Sequence, residues 1–144
     1  TPRSSPRAAG SPVRSASAPT ATSGALTPIA IDATGYSRAR FIFSFGSGAG
    51  TTAAVAAGSA AWQASTSGDT FVPITGADLP ATTSGLISGN ARIFIVDVPV
   101  SPSYPWLKAS ATINSSTINN ACVVELYDGV NRPPSSPEYT VVVV

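Results

Sequence analysis

The sequence predicts an all-β protein: a single antiparallel β-sandwich or jelly-roll-like domain of about seven or eight short strands, preceded by an extended N-terminal arm. Three observations carry this. Phe41, Phe43 and Phe45, three of the five phenylalanines, recur at a spacing of two in Arg-Ala-Arg-Phe-Ile-Phe-Ser-Phe, the period of a strand with one buried face. Short apolar runs are cut by Gly, Pro, Ser and Asn at intervals of about 8 to 12 residues. The opening stretch is almost wholly Pro, Ser, Ala, Thr and Arg, a composition that cannot bury enough apolar surface to offset its conformational entropy.

Residues 1–24 are therefore read as an arm that is strandless by itself and packs mainly against other chains, with Arg3, Arg7, Val13 and Arg14 as its contact residues. Residues 25–144 are read as the sandwich. Within it, 25–31 is a short strand, Asp32-Ala-Thr-Gly35 a turn and 36–45 the aromatic strand. Gly46 to Gly50 breaks the chain. With no Gly-Lys-Ser/Thr sequel and no helical pattern behind it, this reads as a hairpin turn and not a phosphate loop.

Residues 51–65 are alanine-rich, but Gly58 interrupts them and Val55 and Trp62 define no helical stripe, so a strand is expected. Residues 65–69 make a turn, 70–74 a strand, 76–80 at most one helical turn and 81–90 a polar loop. Residues 92–98 are apolar on both faces, as for a central covered strand. Residues 106–113 alternate Leu107, Ala109, Ala111 and Ile113 with Lys108, Ser110 and Thr112. Residues 114–120 are read as a turn, 121–127 as a strand, and the proline-rich 131–137 as excluded from a sheet interior. Four consecutive valines end the chain; 138–144 should be a strand paired within its own domain, since an unpaired apolar edge invites aggregation. The expected core is Phe41, Phe43, Phe45, Ile93, Ile95, Leu107, Ile113, Val124 and Leu126, with Arg40, Lys108 and Glu125 more exposed.

The chain of 144 residues, 43% apolar and 10% charged, suffices for one core. The net charge of +1 supplies no global field for nucleic acid or an anionic membrane, and no apolar run reaches the length of a membrane-spanning helix. Arg3, Arg7 and Arg14 leave five cations against seven carboxylates in the remainder, so arm and body differ in sign. The chain opens at Thr1 with no basic-then-apolar leader before it, and initiator removal and cleavage from a precursor are both open.

No enzyme is expected. Histidine is absent, which removes the commonest general base and metal ligand together with any Ser-His-Asp or Cys-His arrangement. Asp32, Asp69 and Asp128 stand beside glycines in turn contexts, where local backbone bonding explains them. Asp97, inside an apolar strand, is expected to pair with Arg92 or Lys108. The lone Cys122, in Ala-Cys-Val-Val, reads as a small buried hydrophobe. No cofactor and no metal are expected. Trp62, Tyr104 and Trp106, with Tyr36, form a sugar-stacking platform if they share a face, and core or rim aromatics otherwise. Three arginines are few for binding a polyanion.

The passage Trp62-Gln-Ala-Ser-Thr-Ser-Gly-Asp-Thr-Phe-Val-Pro-Ile74, then Tyr104-Pro-Trp-Leu-Lys-Ala-Ser-Ala111, resembles small virion proteins of tailed bacteriophages, often capsid decoration or head proteins. The Asp32 to Tyr36 turn before the aromatic strand and Arg132-Pro133 near the end are also similar, so the likeness runs over about residues 30 to 134. The first passage is similar too to discoidin-like, galactose-binding β-sandwiches, though Tyr-Pro-Trp-Leu replaces that family's usual basic residue and tyrosine pairing. The first resemblance implies a non-enzymatic decoration protein on a virion's capsid surface. Its partners would be the major capsid protein and other copies of itself, gripped through the arm. The alternatives are a carbohydrate-binding sandwich module and a coat protein whose basic arm faces nucleic acid.

Overall fold

A computed structural model describes residues 13–46, 54–55, 58–79, 92–127 and 139–143. It is all-β, with twelve strands among these residues: β1 (Val13–Ala25), β2 (Ile31–Asp32), β3 (Arg38–Phe45), β4 (Ala54–Val55), β5 (Gly58–Ser59), β6 (Ala61–Ala64), β7 (Val72–Pro73), β8 (Asp78–Leu79), β9 (Arg92–Pro99), β10 (Trp106–Ala109), β11 (Thr112–Tyr127) and β12 (Tyr139–Val143). The main sheet runs β1-β11-β3-β9-β12, with β4 also on β11; a second sheet runs β2-β10-β6-β7, and β5 pairs β8. The two larger sheets form a sandwich. All pairings are antiparallel except β9 with β12.

The aromatic strand sits at the centre, as its spacing requires. Ala39, Phe41, Phe43 and Phe45 face inward, between Cys122, Val124 and Leu126 of β11 and Phe94, Val96 and Val98 of β9. Phe43 and Phe45 stack with centroids 6.3 Å apart, and Phe94 meets Phe45 edge-on at 5.6 Å. Leu107 and Ala109 of β10 and Ala61 of β6 close the core from the second sheet. Asp32 makes the expected turn: its Oδ1 accepts from the Thr34 hydroxyl at 2.6 Å and the Thr34 N–H at 3.0 Å, and these bonds hold its carboxyl below the ordinary value. Gly35 then takes φ of 91°, a left-handed conformation that glycine adopts without strain.

Several expectations are corrected. Residues 13–25 are not a strandless arm but the edge strand β1, laddered antiparallel on β11 from Val13 opposite Glu125 to Ala25 opposite Thr112. Small residues suffice because the ladder is main-chain. Ala16 and Ser17 are buried, and Pro19, which has no N–H to give, falls in a register shift on an edge strand, where proline is tolerated. Arg3 and Arg7 lie outside the described residues.

The inward face of β9 is the opposite of the one expected. Phe94, Val96 and Val98 are buried in the core and Ile93 is 37% exposed; Ile95 is buried as expected, but on the outer side, where pairing with Ile42 places it. Residues 114–120 do not reverse the chain. They continue β11, with the surplus polar residues absorbed in an irregularity opposite Thr22 and Gly24. The 106–113 alternation holds in burial, but the strand breaks at Ser110, where the chain leaves the second sheet as β10 and enters the main one as β11. The described residues of 51–65 hold three short strands that belong to three different pairings, residues 26–30 are not strand, and Asp78 and Leu79 form β8 in place of a helical turn. β12 pairs within its own chain, as expected.

Candidate functional site

The outer face of the second sheet carries a groove of about 370 Å³. In the β6–β10 ladder Trp62 stands opposite Lys108, and Pro73 of β7 opposes Trp62 from the other side. With Leu107 and Ala109 turned inward, alternation sends Trp62 and Lys108 outward, half-buried. The turn at 65–69 builds the adjoining wall. Ser65 Oγ donates to Asp69 Oδ2 and the Asp69 N–H donates to Thr66 O at 3.3 Å, which positions Asp69, Thr70 and Phe71 along the groove. The Lys108 ammonium lies 4.3 Å from the centroid of the Phe71 ring, a cation–π contact.

Pro28 and Ser110 complete this wall, and Ser110 is pinned by its N–H donating to Ala60 O at 2.8 Å. Trp62 and Ser110 also line a second cavity of about 210 Å³, bounded by Gly58, Ser59, Leu79 and Thr112. Trp62 thus stands between two adjoining hollows. Its Nε1–H is buried without an acceptor among the described residues.

The outer face of the main sheet holds a cluster of charges. Asp97 is fully buried there, and its partners are Arg38 and Arg40 of β3 rather than the expected Arg92 or Lys108: Arg38 Nε donates to Asp97 Oδ1 at 2.8 Å, and Arg40 Nε lies 3.6 Å from Oδ2. The β3–β9 register sets this, since Asp97 falls opposite Arg40 while Arg92 falls opposite Phe45. Tyr127 donates its hydroxyl to Asp97 Oδ2, and Arg40 also binds Glu125 at 2.8 Å and lies 4.5 Å over the Tyr127 ring. Burial and the Asp97 carboxylate push the Tyr127 phenol above its ordinary value. Burial pulls Arg38 down, but its bond to Asp97 and that group's charge hold it above its ordinary value. The cluster joins β3, β9 and β11 through ion pairs and hydrogen bonds across the outer face of the main sheet.

Of the residues singled out from the sequence, Trp62 lines the groove, but Trp106 and Tyr104 do not. Trp106 sits on β10 between Asp32 and Ala64, and Tyr104 closes a turn with Ser101 and is 44% exposed. Tyr36 lines a separate hollow of about 380 Å³ with Val100, Pro102 and Pro105. Val13 and Arg14 are exposed on β1. Phe71 and Lys108 were not read as site residues. Alternation did turn Lys108 outward, but only the 65–69 turn brings Phe71 over it. Among the described residues no three of Asp, Glu and Cys gather as a metal site. Compared with family models, curated proteins and solved structures, the chain matches none, so the site is read from its own residues.

Proposed function

We propose that this protein is a non-enzymatic structural component of a virion, a capsid-surface decoration protein that binds the shell and neighbouring copies of itself. The observation that carries the reading is the strand order: β1 and β12, the first and last strands described, form the two edges of the main sheet. Each edge strand has one side paired, to β11 and to β9 respectively, and a sheet edge is a template for adding a strand from another chain. Residues 1–12 precede such an edge, and twelve residues extended span about 40 Å, enough to cross a neighbouring subunit. Arg3 and Arg7 are the charges that segment carries, and Val13 and Arg14 are exposed at the start of β1. The Phe-rich core and the ion-paired cluster of Arg38, Arg40 and Asp97 tie the strands into one block, as a clamp requires.

The test is to label purified particles from the producing culture with gold-tagged antibody and to count copies by quantitative mass spectrometry. Many copies per particle, lost when residues 1–12 are deleted while the isolated domain still folds, is the expected result. A protein found only free of particles overturns the reading.

A further inference from the structure

We propose that the groove beside Trp62 is a binding site for a carboxylate-bearing oligosaccharide, with one sugar ring against the Trp62 indole and a carboxylate on the Lys108 ammonium. The inference is independent of any role in a shell. Three observations lead to it.

The first is shape. A hollow of about 370 Å³ adjoins one of about 210 Å³, and the two share Trp62 and Ser110. The larger has the size of a small-molecule site. Two hollows that share an aromatic residue suit a ligand made of linked units.

The second is lining. Beside the apolar Trp62, Phe71, Pro28 and Ala109 of one hollow and Leu79 and Ala111 of the other, the walls carry the hydroxyls of Thr70, Ser110 and Thr112, while that of Ser59 donates to Asp78 Oδ1 at 2.9 Å. Neither Thr70 nor Ser110 spends its hydroxyl on a described residue. An apolar ligand would leave these groups without partners, whereas a sugar offers C–H faces to the rings and hydroxyls to the rim. The Trp62 Nε1–H is a further polar group of this wall without an acceptor among the described residues, which is uncommon for a buried donor.

The third is charge. Lys108 has no ion-pair partner among the described residues; its recorded contact is the Phe71 ring. That contact is weak at a half-exposed site, and an entering carboxylate replaces it with a charge-assisted hydrogen bond. Asp69, the acid in the groove, already accepts from Ser65 and remains available to a sugar hydroxyl. One cation, with no glycine cradle, suits a single carboxylate and not a run of phosphates.

Full-length protein is titrated by calorimetry and tryptophan fluorescence with tetragalacturonate, with 3′-sialyllactose, and with neutral cellotetraose and lactose. The first two separate a uronate chain from a sialylated glycan. At least one acidic ligand is expected to saturate, with its neutral counterpart and the Lys108→Gln variant each weaker by about tenfold, the loss of one charge-assisted bond. Trp62→Phe, which keeps a ring but removes the N–H, is expected to bind several-fold more weakly. Should Lys108→Gln unfold, the salt dependence of wild-type binding reads the same ion pair. The proposal is overturned if no ligand saturates up to about 10 mM, weaker than any specific site of this size. It is equally overturned if neutral and acidic ligands bind alike, or if Lys108→Gln binds as the wild type does.

Discussion

Arg38 Nε lies 2.8 Å from Asp97 Oδ1 although the two residues are not cross-strand partners: Asp97 faces Arg40, and Arg38 faces Pro99. The diagonal reach leaves Asp97 held by two guanidiniums and the Tyr127 hydroxyl at once. Removing one partner of a buried pair leaves the other charges uncompensated. Asp97→Ala is therefore expected to cost about 3 kcal/mol, the low end of the usual range because both arginine heads keep some contact with water. Urea denaturation with an unchanged m-value checks this. A loss under about 1 kcal/mol would mean the cluster is solvated in solution.

Phe43 and Ile93 test which way β9 and β3 face. Phe43→Ala empties a fully buried position stacked on Phe45 and should cost about 3 to 5 kcal/mol. Ile93→Ala, on the outer side, should cost less than about 1 kcal/mol. Comparable losses at both sites would reverse the face of β9.

Much of this was legible from residue order, and the exceptions share a cause. β3 declares its faces because its apolar and polar residues alternate strictly; β9 does not, since Ile93 and Ile95 compete with Phe94, Val96 and Val98, and only the register with β3 decides between them. The same register chose the arginines for Asp97. β1 was invisible for a different reason. Ser, Ala and Thr give no apolar signature, and its ladder to β11 is made by backbone groups that every sequence has. Of the groove, Trp62 was readable as a flat polar-tipped surface, but its neighbour Phe71 arrives by a turn whose path no periodicity encodes.

Tyr127 should ionise late. Burial and the neighbouring carboxylate favour its neutral form, so its folded pKa exceeds the ordinary 10.0. The associated stability is fully present below pH 10.0 and is lost as pH rises through the folded value. Absorbance at the phenolate band should show a step above pH 10.0 that Tyr127→Phe removes, and the same variant should flatten the alkaline fall in stability.

Cys122 should be inert in the native state. Its thiol is fully buried between Phe43 and the core of β11, and burial raises its pKa above the ordinary value, so thiolate is scarce and access is closed. A disulfide exchange reagent should react at the rate of unfolding, with full reaction in denaturant. Rapid labelling of folded protein would contradict the inward placement.

Deletion of 139–144 should lower the melting temperature by at least about 5 °C in dilute, monomeric protein, because β12 then no longer covers the edge of β9 along five residue pairs. An unchanged melting temperature would assign that strand to a neighbouring molecule.

The long β11 has a consequence for how the chain is made. Its neighbours β1, β3 and β4 all precede it, and contacts such as Arg40 with Glu125 join residues 85 positions apart. Among the described residues β1 ladders on β11 alone, so on a translating ribosome β1 must wait, unladdered, until β11 emerges, whereas β3 can already pair with β9. Such non-local closure belongs to the slow class of folding, in milliseconds to seconds. The small, polar make-up of β1 that hid it from sequence reading is then an asset: a segment kept waiting that long stays soluble because it has so little to stick with.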